Sequence, residues 1–178
     1  MQIPFQYSLH IEDKNGNVSH KEFLAECGID PRRSLAEKLI SDIPKNSCVL
    51  AYNMSFEKGI IKYLASIYDD LSEHLMDIYN NIKDLMIPFQ NRDYYTKDMH
   101  GSYSIKYVLP ALFPNDESLD YHNLEQVHKG DEASNAYLSL INLSKEEQKT
   151  LRKNMLKYCE LDTYAMVKIV GKLKDTIK

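Results

Sequence analysis

The chain has 178 residues, 43% of them hydrophobic and 27% charged, with a net charge of −4. That size suits one domain, 1–178, with a core of its own, and the acidic balance argues against a broad basic surface for nucleic acid. No run approaches the roughly 18 apolar residues of a membrane span, no secretory zones follow Met1, and Cys27, Cys48 and Cys159 have neither zinc nor disulfide spacing, so the cytoplasm is the expected compartment and no membrane is expected as a partner.

Ile3–Ile11 alternates as a strand, with Phe5, Tyr7, Leu9 and Ile11 on one face. Asn15-Gly16 signals a hairpin turn, and Val18–Leu24 is the returning strand. Asp30-Pro31 opens a helix with Asp30 as N-cap and a stripe of Leu35, Leu39, Ile40 and Ile43. Ser47–Tyr52 is short and continuously apolar, as a buried parallel strand would be. Asn53 or Ser55 caps the next helix, with Phe56, Ile60, Leu64, Ile67 and Leu71 inward. Glu73–Leu85 reads as another helix, and Met86–Gly101 as irregular. Ser104 caps a short helix to Leu112, halted by Pro114. Leu119–Asn142 holds one further helix, and Ser144-Lys-Glu-Glu147 is a capping box opening the last. A hairpin followed by alternating β and α elements means an α/β sheet covered by helices. The hairpin is expected to adjoin Ser47–Tyr52 in one mixed sheet.

The last helix carries the most informative position. Its apolar stripe runs Leu151, Met155, Cys159, Met166, Ile169, Leu173 and Ile177, in steps of three and four with one gap. Asp162 fills the gap, and Tyr158 lies one turn before it on the same face. A carboxylate on a core-facing stripe is costly without hydrogen bonds, a counter-charge or a metal. Asp162 is therefore either a structural cap or pair, or part of a site. A second Tyr-x-x-x-Asp, Tyr94…Asp98, falls in irregular sequence, where a spacing of four has no facial meaning.

Glu57 opens the helix that follows Ser47–Tyr52. In an open α/β sheet that edge is where ligands bind. The plainer alternative is that Glu57 complements the helix dipole.

Asn53-Met-Ser-Phe56-Glu57 and Tyr158…Asp162 together resemble the second and third motifs of DnaQ-like 3′→5′ exonucleases, in the variety whose last motif carries a tyrosine. Glu57 stands where that superfamily has Asp. Ile3-Pro-Phe-Gln-Tyr7-Ser, Gly101-Ser-Tyr-Ser-Ile-Lys-Tyr-Val-Leu-Pro110 and Tyr158-Cys-Glu-Leu-Asp162-Thr also resemble an uncharacterised bacterial domain found C-terminal to RecB-like nuclease domains. This second likeness covers most of the chain. The resemblance implies a ribonuclease H-like mixed sheet flanked by helices. It implies Mg²⁺ or Mn²⁺ held by Glu57 and Asp162, with Tyr158 orienting the attacking water, and Asn53 and Phe56 against substrate. Single-stranded DNA or RNA is the implied partner, with a RecB-like domain upstream in the parent protein. Two divalent ions about 4 Å apart activate a water and stabilise the leaving oxygen of a phosphodiester, and hard oxygen ligands suit them.

The superfamily also carries Asp-x-Glu on its first strand, and none occurs here. Either that strand lies upstream of Met1 or the domain has lost two of its four ligands. In both cases the 178 residues alone are expected to be a poor nuclease. Two further readings stay open: a nucleic-acid-binding module that keeps the fold without catalysis, and a protein-interaction domain using its acidic surface. Lesser candidates have plain explanations. Asp84 reads as a loop cap near the site, and Asp131 as a helix N-cap. The tyrosines at 94, 95, 103 and 107 read as core with some capacity to stack bases. His10, His20, His74, His100, His122 and His128 show no metal spacing and read as surface or polar-core residues.

Overall fold

The computed structural model describes residues 3–119 and 130–177, the side chains of 130 and 131 excepted. The chain is mixed α/β, with small sheets and a majority of helix. In order the elements are β1 (Gln6–Glu12), β2 (Val18–Leu24), α1 (Arg32–Asp42), β3 (Val49–Ala51), α2 (Ser55–Ile67), α3 (Asp69–Asn81), β4 (Ile82–Asp84), α4 (Ile87–Gln90), α5 (Ile105–Leu112), α6 (Gly130–Ser139) and α7 (Lys145–Thr176). Single 3₁₀ turns add Lys97–Met99, Glu117–Leu119 and Leu140–Asn142.

The strands form two separate two-stranded sheets, where one mixed sheet was expected. β1 and β2 pair antiparallel, from Gln6 opposite Leu24 to Glu12 opposite Val18. The turn differs from the two-residue Asn-Gly form. Gly16 N–H donates to the Asp13 carbonyl and Asp13 N–H to the Asn17 carbonyl, closing a three-residue loop. Gly16 takes the left-handed conformation at φ +84°, which glycine adopts without a Cβ penalty. Asp13 Oδ1 accepts the N–H groups of Asn15 and Asn17 at 2.8 and 2.9 Å, holding the loop. One extra loop residue shifts the pairing by one and sets His10 opposite His20 instead of Lys21.

β3 is parallel, as its apolar run implies, but Leu50 is 39% exposed and only Ala51 is buried. Its partner is β4, with Ala51 opposite Asp84. β4 lies inside the stretch expected to be helical. The helix expected to run inward through Leu71 stops before Tyr68, so that Asp69 and Asp70 open α3 ahead of the expected Glu73, and the helix expected to reach Leu85 ends at Ile82, which is extended. The face of α2 also differs from expectation. Ile61, Leu64 and Ala65 are buried, whereas Phe56 and Ile67 are exposed. Continued one turn back, the line Leu64–Ile61 runs to Glu57. Ser104 holds the N-cap position of α5 without a side-chain cap bond; its carbonyl accepts the N–H groups of Tyr107 and Val108. Asp30 sits one place before an ordinary N-cap, accepting Arg32 N–H at 3.1 Å and the Arg32 guanidinium. The Ser144–Glu147 capping box forms in both directions.

The chain divides into two compact units. Unit 1 comprises Ile3–Leu35 and Glu117–Tyr164, and unit 2 comprises Ala36–Asp116 and Ala165–Lys178. In unit 1, Leu24, Ala133, Leu140 and Met155 form a buried cluster, packed by Phe5, Tyr137, Leu151 and Tyr158 among others. Phe5 stacks on Tyr137 with centroids 4.3 Å apart. The Arg152 guanidinium donates to the carbonyls of Ala25 and Leu24 at 2.7 and 2.8 Å, closing off the end of β2. In unit 2, α2 and α3 pack together, and Leu64, Leu75, Ile78, Met99 and Val108 are fully buried.

Candidate functional site

Unit 2 contains Asn53, Phe56 and Glu57 at the junction of β3 and α2. Asn53 has φ +64°, a left-handed conformation that asparagine tolerates better than most residues. It turns the chain sharply from the strand into the helix. Asp84, at the end of β4, holds this turn. Its carboxylate accepts N–H from Asn53 at 2.9 Å, Met54 at 3.1 Å and Met86 at 3.0 Å. Asp84 is thus a loop cap, as its position suggested, and it is also the nearest charge to the site.

Glu57 points inward. Its Oε2 is buried and has no hydrogen-bond partner among the described residues. Burial above all pushes its pKa up, partly offset by a hydrogen bond from its own backbone N–H, with the Asp84 carboxylate adding a smaller push upward. Two neighbouring carboxylates at the end of a parallel strand pair, one with an unpartnered buried oxygen, favour a cation. Tyr52 lies in the same region and donates its hydroxyl to the Tyr103 carbonyl at 2.6 Å; burial and Asp84 hold that phenol well above its ordinary range. Phe56 is 56% exposed, which suits a base-stacking platform better than the expected core position.

The Glu57 geometry carries a stability prediction. The folded pKa is raised, so this group stabilises the fold below its unfolded pKa and that contribution is lost as pH rises through the folded value. Glu57→Gln therefore raises stability at neutral pH by about 1 kcal/mol, because the amide keeps the shape and removes the buried charge. The gain shrinks as the pH falls into the ordinary carboxylate range. Urea unfolding at both pH values measures it, and a destabilised Glu57→Gln at neutral pH contradicts it.

Unit 1 contains Tyr158 and Asp162. They lie one turn apart on α7, and the Tyr158 hydroxyl donates to the Asp162 carboxylate. Burial, then Asp162, hold the phenol far above its ordinary range, so it remains a donor. The expected stripe holds at Met155 and Ile169, both fully buried, but between them Leu161 and Ala165 are the buried positions, and Asp162 flanks them half-buried. Ile177, assigned to the stripe, is 85% exposed. Both acids are half-buried, and it is Glu57 whose Oε2 is enclosed without a partner among the described residues. Burial and then Asp162 and Glu22 push the Cys159 thiol up to about 12. All three cysteines are free.

Two features of unit 1 have no counterpart among the sequence expectations. Lys145, Lys149, Lys153 and Lys157 make a row along α7 at steps of four, lining a shallow groove with Arg152 and Gln148. His10 and His20 stand opposite each other with ring centroids 4.6 Å apart. His74 behaves as a polar-core residue, bonded to the Ile43 carbonyl. Asp131 lies within α6, but its side chain is outside the described residues, as are His122 and His128. Among the described residues, no helix is long and apolar enough to cross a membrane.

Residues 1–104 match the family described as Domain of unknown function (DUF2779). That span includes Asn53, Glu57 and Asp84; Tyr158 and Asp162 lie beyond it. An uncharacterized protein of Mycoplasma genitalium, MG366, is 31% identical over 156 residues. The match covers 80% of this chain and 23% of that protein, so the chain spans less than a quarter of the curated relative's length. No solved structure matches the chain.

Proposed function

The chain belongs to the DUF2779 family, and within it we propose a metal-dependent 3′→5′ exonuclease-like domain of the ribonuclease H-like fold, acting on single-stranded DNA or RNA. The observation that carries the reading is the Glu57 carboxylate oxygen, buried without a partner beside Asp84. The order of an antiparallel hairpin, then a parallel strand, a helix opened by an acid, and a second parallel strand supports the fold.

The donor set fits hard divalent cations in type. Glu57 offers an unpartnered carboxylate oxygen. Asp162 accepts a hydrogen bond from Tyr158, and a carboxylate has about four lone-pair sites in all. Neither unit fits in number: in unit 2 the Asp84 carboxylate beside Glu57 is engaged by three backbone N–H groups, and in unit 1 Asp162 is a single carboxylate, too few to neutralise two divalent ions. The reading therefore requires two further acids from outside these 178 residues, and the chain alone binds Mg²⁺ weakly and degrades little. Bound Mg²⁺ or Mn²⁺ would supply water activation and charge neutralisation at the phosphodiester. The chain's own residues do the rest. Asp84 fixes the β3–α2 turn and so aims Glu57. Tyr158, kept protonated, gives its one proton to Asp162 and so orients that carboxylate, and its hydroxyl oxygen is left to accept from the attacking water. Exposed Phe56 stacks a base.

A second reading is a nucleic-acid-binding module without turnover, favoured by the lysine row of α7. Four lysines rise about 6 Å per step, a basic track on a chain of net charge −4. Both readings predict that Lys149→Ala with Lys153→Ala weakens oligonucleotide binding. The slope of log K against log salt falls by about 1.4, two phosphate contacts at about 0.7 each. An unchanged slope removes α7 from the interface.

Calorimetric titration with Mn²⁺ and an end-labelled oligonucleotide assay separate the readings. They are run on the 178-residue chain and on a longer form bearing Asp-x-Glu. Metal binding and end-directed degradation by the longer form alone support the nuclease. Binding to oligonucleotide with no degradation by either form supports the module.

A further inference from the structure

We infer that unit 1 holds a binding site for a zinc-class divalent cation, made by His10 and His20 of the hairpin and Glu160 of α7. Direct opposition in the β1–β2 register puts both imidazoles on one face of the hairpin. One nitrogen of each ring and a Glu160 carboxylate oxygen lie within 4.8 Å of one another. His20 Nδ1 and Glu160 Oε1 are 3.8 Å apart.

The hydrogen bonds around the rings decide which nitrogens are available. Thr163 Oγ1 donates its one proton to the Glu160 carbonyl at 3.2 Å. It must then accept from Ser8 Oγ at 2.7 Å and from His10 Nδ1 at 2.8 Å. Ser8, with its proton committed to Thr163, accepts from His20 Nε2 at 2.8 Å. This is the assignment that satisfies every contact of the chain. It puts the ring proton on Nδ1 of His10 and on Nε2 of His20. The lone pairs left over are on His10 Nε2 and His20 Nδ1, the latter 3.8 Å from the Glu160 carboxylate.

Two imidazole lone pairs and a carboxylate are the ligand types of a three-residue zinc site, with one position open to water. Metal-binding histidines are characteristically held through their other ring nitrogen, which is what Thr163 and Ser8 do here. Imidazole suits Zn²⁺ and its neighbours, whereas Mg²⁺ takes oxygen sets. Ligand atoms on a tetrahedral zinc lie about 3.3 Å apart. The 3.8 Å pair is close to that spacing already, and rotation of the half-exposed Glu160 side chain with small turns of the two rings closes the remainder. The cation would tie the hairpin to α7. This site is independent of the nuclease reading: Glu160 and Asp162 are two apart on a helix and do not face each other.

The test uses the 178-residue protein, stripped with chelator and titrated calorimetrically with Zn²⁺, and by visible absorption with Co²⁺. One Zn²⁺ per chain is expected, with Co²⁺ bands of nitrogen and oxygen ligation and no thiolate charge transfer. His10→Gln, His20→Gln and Glu160→Gln each weaken binding roughly tenfold or more, while His100→Gln leaves it unchanged. Glu160 is at the surface, so Glu160→Gln keeps the fold by circular dichroism even if a histidine variant does not. Failure of the parent chain to bind Zn²⁺, thiolate bands with Co²⁺, or an unaltered affinity in Glu160→Gln would overturn the site.

Discussion

In a longer form that supplies the two further acids, Asp162→Asn lowers nuclease turnover by about 10³-fold or more, because a charged metal ligand is lost where charge develops. Tyr158→Phe lowers it by about 10–100-fold, the range for losing a group that orients a ligand. The difference follows from their bond. The Tyr158 hydroxyl donates to Asp162, so Phe leaves the carboxylate present but free to rotate, whereas Asn removes the charge. Burial and the Asp162 charge hold the phenol protonated, so the pH–rate profile acquires no alkaline limb from Tyr158. Single-turnover degradation of an end-labelled strand with Mn²⁺ measures both losses, with circular dichroism as the check on folding. Full activity in Asp162→Asn would put the active site elsewhere.

Met155→Ala destabilises the protein by about 2–5 kcal/mol, as large-to-small changes in a closed core do. Met155 is fully buried in the cluster with Leu24, Ala133 and Leu140. These neighbours come from β2, α6 and the 3₁₀ turn after it, so no single side chain can move to fill the space. Against a total stability of about 5–15 kcal/mol, the loss is large. Met155→Leu, which keeps the volume, costs less than about 1.5 kcal/mol. Urea midpoints at constant slope give both values. Equal midpoints for Met155→Ala and the parent chain would show that the cavity collapses and that this cluster does not limit stability.

Elements with strong local signals are legible in the amino-acid sequence alone. β2 spans Val18–Leu24 as its pattern predicts, and the Ser144–Glu147 box forms because its two halves are three residues apart. The Tyr158–Asp162 pairing is legible for the same reason: one helical turn brings the two together. β4 is not legible. Ile82–Asp84 continues an apolar helical pattern, and only its ladder with Val49–Ala51 makes it a strand. Glu57 stands out by its place at a helix start. Its burial does not, because the apolar pattern draws the inward face of α2 through Phe56, Ile60 and Leu64, whereas Ile61 and Ala65 are buried with Leu64.

The sequence by itself determined the class of the protein, the parallel sense of β3, the capping of α7 and the acids worth watching, since each depends on composition or on neighbours within a turn. Tertiary structure decided the rest. A single extra loop residue at Gly16 brought His10 across from His20, and α7 brought Glu160 and Thr163 to them, over a separation of about 150 residues that no spacing rule spans. Burial likewise is a property of what packs opposite. It left Glu57 with an orphaned oxygen and gave Asp162 a partner, reversing which of the two acids is under greater strain.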